Sequence, residues 1–167
     1  PDMHDPSGDL ERLSDALRAQ WGVEAVTIDL PVLTMLQPIL RKGEWKVTVA
    51  LHQVAPTDTP RIMHLWPGLY EGSIFGVAVD LGSTTIAGHL CDLRSGAVVA
   101  SSGLMNPQIR FGEDLMSRVS YSMMNPSGAA EMTAAVRGAM NTLFGQLCEE
   151  AGVERGLIMD SVFVCNP

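Results

Sequence analysis

Positive charge, aromatic side chains and cysteine are all in short supply in this chain. Against 19 Asp and Glu there are 11 Lys and Arg, a formal net charge of −8 over 167 residues. Nucleic-acid binding relies on Lys and Arg displacing counterions, so this balance argues against a phosphate-rich polymer as partner and favours a protein or small molecule. No apolar run approaches the ~20 residues needed to span a bilayer. The opening PDMHDPSGD has no basic flank and no hydrophobic signal region. No membrane association is therefore expected, and a cytoplasmic location is the default. The 3 cysteines, Cys91, Cys148 and Cys165, are odd in number and far apart. Buried free thiols are the expectation rather than a disulfide framework. Plant-type [2Fe–2S] ligation requires a tight run such as C-x₄-C-x₂-C, and nothing here approaches it. His4, His52, His64 and His89 show no metal-ligand spacing, and neither a Walker-type lysine loop nor a Ser-His-Asp order is legible.

What is present is 46% hydrophobic and 18% charged content, enough for one ordinary domain or two small ones with real cores. The most informative stretch is FGVAVDLGSTTIAGHLCDL, residues 75–93. One apolar run ends at Asp80, turns through residues 81–84, and resumes as a second. This reads as strand, hydroxyl-rich glycine turn, strand. Gly82 has no Cβ to keep backbone N–H groups from converging, and Ser83, Thr84 and Thr85 add hydroxyl donors. Such a turn suits a phosphate, with Asp80 beside it holding Mg²⁺ directly or through water. Asp-x-Gly-Ser also occurs in ordinary tight turns, where Asp and Ser bond their own backbone and Gly supplies positive φ. Both readings stand on these residues. A second hairpin at Arg94-Ser95-Gly96 leads to a third strand over residues 97–103.

Upstream, Leu10, Leu13 and Leu17 predict a helix over residues 9–20 with Asp9 as its cap. A short strand over 25–28 precedes a second helix with Pro31 in its first turn, running to about Arg41 and ending near Gly43. Residues 44–52 alternate, with Trp45, Val47, Val49 and Leu51 on one face of a half-buried strand. PTDTP breaks it, and residues 61–66 return as a strand. The boundary of this first module falls near residues 70–73.

Downstream of the three strands, residues 113–124 read as a helix. After Asn125-Pro126, Ser127 caps a longer helix over 129–151 that Gly152 ends. Met132, Val136, Met140, Leu143, Phe144, Leu147 and Cys148 form its apolar stripe, a core face rather than a methionine-rich recognition surface. Residues 160–165 make a last strand. In the connecting loop, Asn106, Gln108, Arg110, Glu113 and Asp114 offer two readings. They orient an anion or a metal near a helix N-terminus, or Glu113 and Asp114 merely complement the helix dipole while Asn106-Pro107 shapes a turn.

GVAVDLGSTTIAGHLCDL, then GLMNPQIRFGEDLMSRVSYSM, and upstream DLERLSDALRAQ with EWKVTVAL, resemble the reductive activators of corrinoid proteins. NPQIRFGED is the most specific part. The resemblance implies an α/β (α+β) chain: a small α+β middle or connecting module, residues 1–72, then the start of an actin-like ATPase domain, residues 73–167. That second part is expected to be a ribonuclease H-like half in the order β-β-β-α-α-β, from the acetate and sugar kinase, heat-shock chaperone and actin superfamily.

The function so implied is ATP-dependent return of a Co(II) corrinoid protein of a methyltransferase system to Co(I). ATP and Mg²⁺ belong to the full-length protein, and a [2Fe–2S] cluster to an N-terminal domain that this sequence lacks. By the same resemblance the first module serves as spacer, docking surface or homodimer contact. Phosphoryl chemistry in this superfamily is done by two hairpin loops facing each other around the phosphates. Only the first is expected here, so the chain reads as an internal fragment, inactive alone and with no cofactor bound. Family members continue from their fourth strand into a Gly-Asn turn. Here Cys165-Asn166-Pro167 stands instead, a departure that counts against Cys165 in any nucleotide site and leaves Asn166 a weak candidate. The alternative function is a non-catalytic dimerisation or protein-interaction module in which the turn is a relic. A sugar or acetate kinase fits less well, because nothing outside the hairpin resembles one.

Overall fold

The computed structural model describes residues 6–165. The expectations placed on His4, Asp5, Asn166 and Pro167 lie outside them. The chain forms two compact units, one ending at Gly72 and the other beginning at Ser73.

In the first unit, helix α1 (Asp9–Trp21) is followed by the two-residue strand β1 (Thr27–Ile28), helix α2 (Leu30–Lys42), and strands β2 (Val47–His52) and β3 (Arg61–Pro67). The helical spacing of the leucines works as expected: Leu13 and Leu17 of α1 and Leu36 and Leu40 of α2 are buried against Ile62 and Leu65 of β3. The sheet order is β1-β3-β2, with β2 antiparallel and β1 parallel to β3. Two local readings change. Asp9 is the first residue of α1 rather than its cap, which is Gly8, and its carboxylate lies 3.3 Å from the Arg41 guanidinium instead. The alternation from Glu44 becomes a strand only at Val47, because Glu44 and Trp45 have positive φ, 49° and 68°. That left-handed bend takes Trp45 out of the ladder and sets its ring 4.3 Å from the Arg41 guanidinium carbon.

The second unit opens with β4 (Phe75–Leu81), β5 (Thr85–Asp92) and β6 (Val98–Met105). A 3₁₀ turn (Pro107–Phe111), helices α3 (Leu115–Met124) and α4 (Gly128–Ala151), and β7 (Ile158–Cys165) follow. The sheet order is β6-β5-β4-β7, antiparallel except that β7 runs parallel to β4. A parallel return needs a crossover, which the two helices supply. Mixed α and β structure in the expected element order is thus present. Phe75, Val77 and Val79 of β4, Ile86 and Leu90 of β5 and Ala100 of β6 are buried against Ala139, Leu143 and Leu147 of α4.

Most of the α4 stripe is core as expected, with Val136, Met140 and Phe144 packed at its margin. Three exposed methionines, Met116, Met123 and Met124, sit on α3 instead, and Met35 of α2 and Met105 of β6 are exposed as well. Ser127 precedes α4 but makes no cap hydrogen bond, its hydroxyl donating to the Glu131 carboxylate. Strand β7 forms, yet Val162, Phe163 and Val164 remain exposed. The three cysteines are free thiols, but only Cys148 is buried; Cys91 is half-buried and Cys165 exposed. Cys165 differs from expectation because it ends that uncovered strand. No helix among the described residues is long and apolar enough to cross a membrane.

Candidate phosphate-binding hairpin

Side chains alternate along β4, so the burial of Val77 and Val79 turns Asp80 to the opposite face of the sheet, where it is exposed. It lies in register with Ala87 on β5 and Val164 on β7. Among the described residues its carboxylate has no hydrogen-bond or ion-pair partner. Burial one residue earlier therefore leaves an uncommitted anion at the carboxyl end of the strand.

The loop that follows is closed by the Gly82 N–H donating to the Thr85 carbonyl at 3.0 Å. Gly82 does not have positive φ. A Cβ on it would stand 2.7 Å from the Thr85 carbonyl oxygen, so close approach is what requires glycine here. Its own amide is engaged in the hairpin and is not among the groups facing outward.

The next three carbonyls are all gripped from one side. Asn106 Nδ2 donates to the Gly82 carbonyl at 2.9 Å, Arg118 Nη2 to that of Ser83 at 2.6 Å, and the Asn106 N–H to that of Thr84 at 2.8 Å. Both gripping residues are buried, Asn106 to 2% and Arg118 to 8% exposure. The described residues contain no cis peptide bond. In a trans peptide the C=O is antiparallel to the following N–H, so the amides of Ser83, Thr84 and Thr85 are turned away from Asn106 and Arg118. Ser83, Thr84 and Thr85 are exposed. Among the described residues, the Ser83 and Thr84 amides and all three hydroxyls carry no hydrogen bond. The Ser83 and Thr84 amides and three exposed hydroxyls are thus unengaged donors within five residues of Asp80.

The NPQIRFGED segment supports this loop. Asn106 Oδ1 accepts from the Gln108 N–H at 2.9 Å, and Gln108 Nε2 donates to the Met132 carbonyl on α4 at 3.2 Å. Arg110 lies over the Phe111 ring, 4.6 Å from its centroid. Asp114 caps α3 by accepting from the Ser117 N–H at 2.7 Å, and that bond holds its carboxyl below the usual range. Of the two readings of this cluster, the turn-and-cap one describes Asn106 and Asp114. Arg118 is the residue that sequence reasoning passed over. A signal existed: it is the single charged residue of α3, a helix otherwise of apolar residues, serines and a tyrosine.

No group of three or more His, Cys, Asp or Glu that could hold a metal occurs among the described residues. One exposed carboxylate fits Mg²⁺ held through water with phosphate oxygens completing its shell, not an all-protein cage. Cys91, Cys148 and Cys165 supply no thiolate set for an iron–sulfur cluster.

Residues 75–167 match the family described as the RACo middle region, and residues 1–72 match the RACo linker region. The chain belongs to the RACo family, the reductive activators of corrinoid proteins. It is also similar to the corrinoid activation enzyme RamQ of Eubacterium limosum, with 30% identity over 96 residues, 58% of this chain and 16% of that protein. A solved structure titled reductive activator for corrinoid, iron–sulfur protein superposes with a TM-score of 0.79 at 35% identity, over 99% of this chain and 26% of that one. The chain thus spans about a quarter or less of the length of these RACo relatives.

Proposed function

We propose that this chain is an internal part of an ATP-dependent reductive activator that returns Co(II) corrinoid proteins of a methyltransferase system to Co(I). In this reading residues 73–167 begin the ATPase domain, residues 1–72 connect it to a redox domain elsewhere in the full-length protein, and the β4–β5 loop is the first of two phosphate-binding hairpins. The RACo relationship supports the corrinoid role. One observation supports the nucleotide role: the unengaged Ser83 and Thr84 amides and three exposed hydroxyls of an anchored loop, following the partnerless Asp80 carboxylate at the end of β4.

The amides and hydroxyls would donate to phosphate oxygens, and Asp80 would hold Mg²⁺ directly or through its water. Bound ATP favours the conformation in which the corrinoid accepts an electron, since a ligand shifts an equilibrium by its differential affinity for the two states. The electron would come from a [2Fe–2S] cluster in a separate domain of the full-length protein. The chain alone, with one hairpin of two, neither hydrolyses ATP nor transfers electrons. Phosphate release well above a buffer blank, on incubation with ATP and Mg²⁺, contradicts that.

The test in the full-length protein is Asp80→Ala. ATP-dependent corrinoid reduction should fall steeply while the fold is kept; unchanged activity removes Asp80 from the site. The non-catalytic alternative is favoured by one feature, the exposed Leu115, Met116, Val119 and Met123 of α3. Nucleotide affinity of the full-length protein separates the two, because an interaction module has none.

A further inference from the structure

Resting on that reading, we propose that Arg118 and Asn106 are positioning residues for the hairpin, gripping it from behind so that its amides face the phosphate before nucleotide arrives. Neither touches the ligand. A loop of small hydroxyl residues at a strand end is ordinarily free to rotate its peptide planes, and each plane that must be fixed on binding lowers the affinity. Here three successive planes are fixed in advance by hydrogen bonds to their carbonyls. Preorganised donors of this kind avoid reorganisation when charge arrives.

The choice of arginine is informative. At 8% exposure, Arg118 makes its hydrogen bonds to backbone carbonyls, to that of Ser83 and, through Nε at 2.9 Å, to that of Gly112, while its charge is felt by the Asp114 carboxylate without a direct ion pair. Burying a guanidinium whose hydrogen bonds all go to neutral carbonyls, with a carboxylate near but not bonded to it, is unfavourable compared with filling the same space with an apolar side chain. A carbonyl that accepts from a guanidinium polarises its own peptide, which makes the Thr84 N–H a stronger donor to an anion on the far side. Gly112 allows the arrangement. A Cβ there would lie 2.7 Å from the Arg118 backbone nitrogen, so glycine lets α3 start close enough for one guanidinium to reach both carbonyls.

The test uses the full-length protein as wild type, Asp80→Asn, Arg118→Met and Arg118→Lys. Three quantities are measured: the dissociation constant for Mg²⁺ with a non-hydrolysable ATP analogue, the melting temperature, and hydrogen exchange of the segment around residues 80–86 with and without nucleotide. Arg118→Met should weaken nucleotide binding by about tenfold or more and abolish the nucleotide-induced protection of that segment, with Lys restoring part of both. A folded Arg118→Met protein with wild-type affinity and protection overturns the positioning role. If Arg118→Met does not fold, Asn106→Asp replaces the donor to the Gly82 carbonyl with a repelling oxygen; wild-type nucleotide affinity there overturns it equally. Affinity lost in Asp80→Asn and kept in Arg118→Met sinks the positioning role alone. No nucleotide binding by the wild type sinks both readings.

Discussion

Two hairpins of the same sheet use nearly the same residues and solve opposite problems. The β5–β6 turn runs Asp92-Leu93-Arg94-Ser95-Gly96, and the β4–β5 turn Asp80-Leu81-Gly82-Ser83-Thr84. Asp92 accepts from the Arg94 and Ser95 amides at 2.8 and 2.9 Å, and Gly96 takes the left-handed φ of 76°. Its carboxyl is lowered to about 2, chiefly by the Ser73 hydroxyl and then by those two amides. That turn consumes its own Arg94 and Ser95 amides on Asp92, while the Leu93 amide reaches back to the Ile74 carbonyl at 2.9 Å. The other is held by residues 24 and 35 positions away, and its carboxylate and donors are left outward. The difference between the two turns is which groups are engaged: amides and carboxylate in one, carbonyls in the other.

The sharpest way to break this contrast is Asn106→Ala. Removing the side chain leaves the Gly82 carbonyl and the Gln108 amide without their buried partner and should cost about 2–4 kcal/mol in denaturant unfolding of the second unit. A loss no larger than that of an exposed substitution means the grip is not real. Next come the glycines. Gly82→Ala forces a Cβ onto a backbone carbonyl and should destabilise by about 1–3 kcal/mol. Gly96→Ala meets no neighbouring atom and should lose only the left-handed penalty, about 1 kcal/mol. Equal losses would erase the distinction between close approach and φ.

The third effect is a pH slope. Asp92 has its folded carboxyl at about 2 against an ordinary 3.8. Its stabilisation is therefore complete above the unfolded value and is lost as pH falls from there toward 2. Asp92→Asn should flatten that part of the acid-unfolding profile; an unaltered slope shows that the cap contributes nothing. Smallest of all is Asp80→Asn, which should leave the melting temperature unchanged, since the carboxylate has no partner to lose. A fall like that of Asp92→Asn would make Asp80 an ordinary turn residue.

Much of this fold was legible because short-range rules governed it. Leu13 and Leu17 mark a helix by spacing, Gly152 ends another in the left-handed region, and the alternation through Val77 and Val79 fixes which way Asp80 points. Trp45 was misread because two non-glycine residues take positive φ against their preference. The grip on the hairpin was illegible for a different reason. Nothing local to Asn106 or Arg118 reveals that both reach carbonyls of residues 82–84, which only the crossover of α3 and the end of β6 brings near. The NPQIRFGED segment stood out as specific, but its work in this structure is largely support.

Gly88 carries a consequence for how this unit transmits force. A Cβ there would meet Leu143 at 2.9 Å, so the long helix rests directly on bare backbone at the centre of the sheet. That same helix carries the Met132 carbonyl from which Gln108 hangs, and Gln108 is tied through Asn106 to the loop. A methyl group added there would press first on the Leu143 and Leu147 side chains, and whatever they do not absorb by turning would pass through the helix toward residues 82–84.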